Sequence, residues 1–223
     1  MKTLVLLDLD RTAFKTDQHF DDFCAVISDK FGIDASKLKE KEHRLTKKPG
    51  PYSPVDDIRY DESIEVEPGE VLRVAGEELS SNLQDYLFED VVPFLEWQKQ
   101  QGNQVVLITV GTHEYQTHKV NLADELIQYP LIITRDSKSN VLTNHLRFIE
   151  NGGVILQMED ITVEADNAVL IDDRAATFTD AIPMPNDSRL KLVRIRRDGV
   201  EYSENKTPEG VSEIKTLAEL INK

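Results

Sequence analysis

Short apolar runs recur along the chain at residues 3–7, 104–108, 131–134, 168–171 and 190–195. Several are apolar at every position instead of at alternate ones, the pattern of strands covered on both faces. Apolar residues spaced three and four apart predict helices over 20–31, 35–45, 70–79, 90–101 and 211–221. Gly32 follows the first of these helices and Gly102 the fourth, positions where a left-handed residue after a helix is easiest for glycine. Strands separated by helices predict an α/β fold, a doubly wound, mostly parallel, Rossmann-like sheet.

One interval breaks the alternation. Between the first strand and the helix starting near Asp90, the chain carries Pro49, Gly50, Pro51, Pro54, Pro68 and Gly69 among many charges. A crossover needs only about a dozen residues. Residues 15–89 are therefore expected to form an inserted, mainly helical cap, with residues 1–14 and 90–223 as the core.

Composition narrows the chemistry. With 39% hydrophobic and 30% charged residues, the 223-residue chain has the profile of an ordinary globular protein. Forty-one acidic residues against 26 basic ones give a net charge of −15, which repels phosphate backbones and disfavours nucleic acid as a partner. A small phosphorylated substrate would need local neutralisation by a divalent cation or a well-placed lysine. Cys24 is the single cysteine, so no disulfide or thiolate zinc site is expected within one chain; it reads as core packing in a reducing cytoplasm. The apolar run at residues 4–7 is interrupted by Asp8 and Asp10, too short for a signal peptide or membrane span, so no membrane association is expected.

The chemistry-bearing residues gather at predicted strand ends. Asp8 and Asp10 close the first strand, on the same side because strand direction alternates with period two. Asp172 and Asp173 close the strand at 168–171. Open α/β sheets bind ligands at this carboxyl edge, so four carboxylates are expected to converge there. Like charges a few ångström apart repel unless a hard cation joins them, and magnesium suits an all-oxygen donor set. Thr109 ends a third strand ahead of a Val-Gly-Thr turn, and Lys138 follows the run at 131–134, where its ammonium would neutralise a phosphoryl group.

In this order, Asp8-Leu9-Asp10-Arg11-Thr12, Thr109, Lys138 and Asp172-Asp173 resemble the signature of the haloacid dehalogenase-like superfamily. The resemblance implies that Asp8 attacks phosphorus to form an aspartyl phosphate. It implies too that Asp10 protonates the leaving oxygen and then activates water. Thr109 and Lys138 would hold the phosphoryl oxygens. Magnesium would be ligated by Asp8, the Asp10 backbone carbonyl and Asp172, with Asp173 as a further ligand or as an orienting group. Asp10 also favours phosphate chemistry over the dehalogenases, which lack that acid. Two positions depart from the pattern: Arg11 stands where glycine is frequent, and Ala13 where a larger aliphatic residue is common. Lys119, in the helical stretch after Thr109, competes with Lys138 for the phosphate-binding role.

The resemblance implies a soluble, magnesium-dependent phosphomonoesterase acting on a small phosphate ester, as a monomer or homodimer. A phosphotransferase or phosphomutase using the same intermediate is the enzymatic alternative; a phosphate-sensing or partner-binding protein is the non-catalytic one. Phe20, His43, Arg44, Lys47, Lys48, Tyr52 and Arg59 are the cap residues considered for leaving-group contacts, with a solvated surface as the simpler reading of each. His113 and His118 are five apart, which on a helix turns them about 140° from each other and argues against a shared metal. Without a Gly-x-Gly-x-x-Gly or Gly-x-x-x-x-Gly-Lys segment, no organic cofactor is implied.

Overall fold

The computed structural model describes residues 1–45, 53–61, 64–81, 85–150, 152–158, 160–179, 184–200 and 206–221. The chain starts with β1 (Thr3–Asp8) and continues through α1 (Thr16–Phe31), α2 (Ala35–Leu45), α3 (Pro54–Tyr60), α4 (Pro68–Ser81) and α5 (Val91–Gln100). Next come β2 (Gln104–Val110), α6 (His113–Asn121), α7 (Asp124–Ile127), β3 (Leu131–Thr134) and α8 (Lys138–His145). Three short strands follow, β4 (Leu146–Phe148), β5 (Val154–Met158) and β6 (Ile161–Ala165). The last elements are β7 (Asn167–Asp172), α9 (Ala175–Phe178), β8 (Leu190–Ile195), β9 (Ser212–Ile214) and α10 (Ala218–Ile221).

The main sheet has six strands in the order β3-β2-β1-β7-β8-β9, all paired in parallel. Its strands are apolar throughout because both faces are covered. Val5, Leu7, Leu9, Val105 and Leu107 point to one side, into a cluster with Phe94 of α5 and with Phe23, Ile27, Ile58, Val71 and Ala75 of the helices between β1 and α5. Leu4, Leu6, Val106, Ile108 and Leu170 point to the other, against Val141 and Leu142 of α8 and Leu156 and Val163 of the small sheet. Each such side chain contributes about 1.5–3 kcal/mol on full burial. The helices of the long interval and the sheet therefore share one apolar interior.

Two segments differ from the periodicity reading. Residues 211–221 were expected to be one helix, but 212–214 pair in parallel with β8 as edge strand β9, leaving only the short α10. Val211, Ile214 and Leu217 keep a helical spacing of three, and the Arg196 amide donating to the Ile214 carbonyl (2.8 Å) shows that pairing with β8's open edge overrides it. The stretch 146–165, for which the sequence suggests no elements, is a three-stranded antiparallel sheet, β4-β5-β6. Its first turn uses Gly152 and Gly153 at φ 100° and 94°, and a Cβ on Gly153 would lie 2.9 Å from the Ala165 carbonyl oxygen.

Register places the chemistry. Leu7 of β1 lies opposite Ile171 of β7, so Asp8 and Asp172 are next in line on adjacent strands. Asp8 also lies opposite Ile108, one residue before Thr109. The successive connections run outward on opposite sides of β1, making the β1–β7 carboxyl edge a switch point, where open α/β sheets form clefts.

Candidate active site

Beyond Asp8 the chain folds back on itself: the amides of Ala13 and Phe14 both donate to the Leu9 carbonyl, at 3.0 and 2.8 Å. This loop holds Arg11 at φ 58°, a left-handed conformation that costs a side-chain-bearing residue about 1 kcal/mol or more. Glycine, without a Cβ, would meet no such cost here. The Arg11 guanidinium instead donates to Asp17 at the start of α1 (Nε, 2.8 Å) and approaches Glu42 of α2 at 3.4 Å.

Asp8 is 3% exposed. Its Oδ2 accepts from the Thr12 hydroxyl (2.9 Å) and its Oδ1 from the Lys138 ammonium, which also donates to Asp172 Oδ2. The other Asp172 oxygen accepts from the Arg174 amide at 2.8 Å and the Thr177 hydroxyl at 2.9 Å. Asp8, Asp172 and Asp173 each offer an oxygen such that all three lie within 4.8 Å of one another. Burial, with repulsion from Asp172 and Asp10, pushes Asp8 up to about 7 against the opposing pull of Lys138. Burial, with repulsion from Asp8 and Asp172, drives Asp173 well above the usual carboxylate range.

The Asp10 carboxylate lies outside this group of three oxygens and has its own partners. Oδ2 accepts from the Thr109 hydroxyl and from Gln116 Nε2, both at 3.1 Å; Oδ1 accepts from the Thr16 hydroxyl at 2.7 Å and from Lys119. Burial raises its proton affinity, but Lys119 and these donors win and hold it below the usual range. Both candidate lysines thus lie at the site, on different carboxylates: Lys138 on Asp8 and Asp172, Lys119 on Asp10.

By sequence, no family model and no curated protein matches the chain. Solved structures do match by shape. A Burkholderia xenovorans protein assigned as a haloacid dehalogenase-like hydrolase superposes with TM-score 0.64 at 18% identity, over 99% of this chain and 95% of that one. A HAD phosphatase from Thermococcus onnurineus gives 0.57 at 19% identity, over 100% and 97%. The HAD-hydrolase YfnB from Bacillus subtilis, bound to magnesium, gives 0.55 at 13% identity, over 99% and 97%.

The chain has the haloacid dehalogenase-like fold. Within that fold, three buried polar residues that the sequence pattern does not mark hold the site's loops. Arg197 donates to the Thr12 carbonyl from Nε (3.1 Å) and from a terminal nitrogen (2.7 Å), pairs with Asp90 at 2.6 Å and lies over the Phe88 ring. Arg194, fully buried in β8, donates to the Asp173 carbonyl at 2.9 Å. Gln116 joins Asp10 to the Val110 carbonyl. The run 194–197 signals only a charged strand end; what hides the roles of its two arginines is that the carbonyls they reach, of Asp173 and Thr12, are far away in sequence.

Of the cap residues considered, Lys47, Lys48 and Tyr52 lie outside the described residues. Phe20 is buried in the apolar interior, and Arg59 pairs with Asp56 and with Glu114 of α6. His113 is exposed, while His118 is buried against Tyr115 and His19. Cys24 is buried, which pushes its thiol up to about 12. Among the described residues no helix is long and apolar enough to cross a membrane.

Proposed function

We propose that the protein is a magnesium-dependent phosphomonoester hydrolase for a small phosphorylated metabolite, working through an aspartyl phosphate on Asp8. The observation that carries this reading is the buried cluster of Asp8, Asp172, Asp173 and Lys138 at the switch point of the sheet, with Asp10 and Thr109 beside it.

The donor set fits magnesium: three buried carboxylates offer hard oxygens within 4.8 Å, and one lysine leaves them with excess negative charge. Asp8, Asp172 and Asp173 would hold the ion, with the Asp10 backbone carbonyl. Bound there, it supplies positive charge for the phosphoryl oxygens.

The residues then divide the work. An Asp8 oxygen forms a bond to phosphorus as the bond from phosphorus to the ester oxygen breaks. The departing oxygen keeps the electron pair and takes a proton from Asp10, which can carry that proton only after Lys119 turns from it toward the substrate phosphate. Asp10, now ionised, accepts a proton from water as the water oxygen bonds to phosphorus and the acyl phosphate breaks, which restores Asp8 and releases phosphate. Thr109 and Lys138 would donate to the phosphoryl oxygens, Thr109 by turning from Asp10. An acid–base group of this kind contributes about a hundred- to ten-thousand-fold.

A phosphorylated-metabolite panel, together with p-nitrophenyl phosphate, tests the proposal in magnesium and in EDTA. Phosphate release is expected with magnesium, with loss in EDTA and in Asp8→Asn. Equal activity of wild type and Asp8→Asn would reject the mechanism. Transfer to an added sugar phosphate in place of water would reassign the protein as a phosphotransferase.

A further inference from the structure

We infer that Gln116, laid across Gly111, is the positioning residue that aims the Asp10 carboxylate at the leaving oxygen. The inference rests on the hydrolase reading above and adds a residue that the motif does not contain.

Gln116 sits in the first turns of α6, 2% exposed. Its Nε2 donates to Asp10 Oδ2 and to the Val110 carbonyl, both at 3.1 Å. The Val110 carbonyl only accepts, so the orientation of the amide is fixed by chemistry. The Val110 carbonyl belongs to β2, which makes the side chain a strut between the sheet and Asp10. Oε1 is buried without a partner, a cost retained for the two contacts made by the nitrogen.

Gly111 makes room for the strut. A Cβ there would stand 2.4 Å from Gln116 Nε2 and 2.8 Å from its Cγ, although the backbone at Gly111 has no left-handed φ to demand glycine. The space, not the conformation, is what glycine supplies. Of the two neighbours bonded to Asp10 Oδ2, Thr109 is the one called to the phosphoryl group in the proposed reaction. Gln116 is then the donor that stays, and it carries no charge of its own.

A group that aims a proton donor matters most where the leaving oxygen needs the proton. Steady-state kinetics on p-nitrophenyl phosphate and on the fastest of three alkyl esters, glycerol 3-phosphate, glucose 6-phosphate and ethanolamine phosphate, read this directly. In Gln116→Leu, kcat on the alkyl ester is expected to fall about a hundredfold with KM little changed. On p-nitrophenyl phosphate it should fall less than about tenfold, because that leaving group departs without help. Gly111→Ala should show the same selective loss, and Gly111→Ala/Gln116→Ala should be no slower than Gln116→Ala. In an Asp10→Asn background, Gln116→Leu should have no further effect on the alkyl ester.

Equal losses on both ester types, an undiminished effect in the Asp10→Asn background, or no turnover of any alkyl ester would overturn the inference. If Gln116→Leu does not fold, Gly111→Ala carries the same test. Activity that survives Asp8→Asn would instead remove the hydrolase reading itself.

Discussion

Lys138 stands between Asp8 and Asp172 and donates to both carboxylates, with all three side chains at most 4% exposed. One ammonium faces two carboxylates, with Asp173 beside them, so the cluster keeps a net negative charge. Asp8 and Asp172 come from adjacent strands in register, whereas Lys138 arrives on α8 from across β2 and β3. The sheet thus fixes the anions and a separate helix brings their counter-charge.

Lys138→Met leaves the carboxylates without that counter-charge. Removing one partner of a buried pair costs about 3–5 kcal/mol. Chemical denaturation in EDTA should show a loss of this size, part of which returns on adding magnesium. Turnover should fall about a hundred- to thousand-fold even with magnesium saturating, because a donor to the phosphoryl group is gone.

Magnesium binding is separable from catalysis by thermal unfolding. Wild type should gain about 2.7 kcal/mol at a hundred times the dissociation constant. Asp172→Asn removes the proposed charged ligand and also one of the two carboxylates that Lys138 pairs with, so its magnesium response should disappear whatever its metal-free stability. An equal magnesium shift in both proteins would remove Asp172 from the ligand set.

Acid should destabilise the protein through His118. Burial and nearby Lys119 push its pKa down to about 4, whereas an unfolded histidine titrates near its ordinary value of 6.5. Below that ordinary value the unfolded chain takes up a proton that the native state refuses. The native advantage is complete above the unfolded pKa and shrinks as pH falls toward the folded one. Between pH 7.5 and pH 5 this amounts to about 2 kcal/mol. Asp8, raised to about 7, takes up a proton on the native side over the same window and opposes the trend, so the check is a difference between proteins: the urea unfolding free energy of wild type relative to His118→Asn should fall by about 2 kcal/mol from pH 7.5 to pH 5.

Arg197→Met should cost about 3–5 kcal/mol, because Asp90 loses its buried partner and the Thr12 carbonyl two donors. Asp90 also accepts from the Leu217 amide at 2.6 Å, which ties α5 to the segment before α10. Arg196→Met, at a 3.8 Å pair with Glu213 nearer the surface, should change stability by less than about 0.5 kcal/mol. Denaturation midpoints compare the two.

The core strands were legible because an apolar run covered on both faces has few alternatives: the readings at 131–134 and 190–195 coincide with β3 and β8. Helix α2 was legible from its spacing. The antiparallel strands at 146–165 were not, since each is five residues or shorter and carries exposed positions that blur the alternation. Pro54 after Ser53 is a helix-start pattern that signals α3, but a seven-residue helix offers too little periodicity to declare itself. At the site, strand ends pointed to Asp8, Asp10, Thr109 and Asp172, and order along the chain to Lys138. Thr16, Gln116, Arg194 and Arg197 were hidden because an isolated polar residue in a helix or strand looks solvated until the fold buries it.

The apolar interior shared by the sheet and by α1, α3 and α4 also bears on how the molecule is divided. Deleting residues 15–89 would take Phe23, Ile27, Ile58, Val71 and Ala75 out of the cluster that also holds Leu7, Leu9, Val91 and Phe94. Grafting the segment onto a different scaffold would likewise separate Phe23 and Ile27 from the partners they interlock with. The segment is a wall of the building more than a door hung on it.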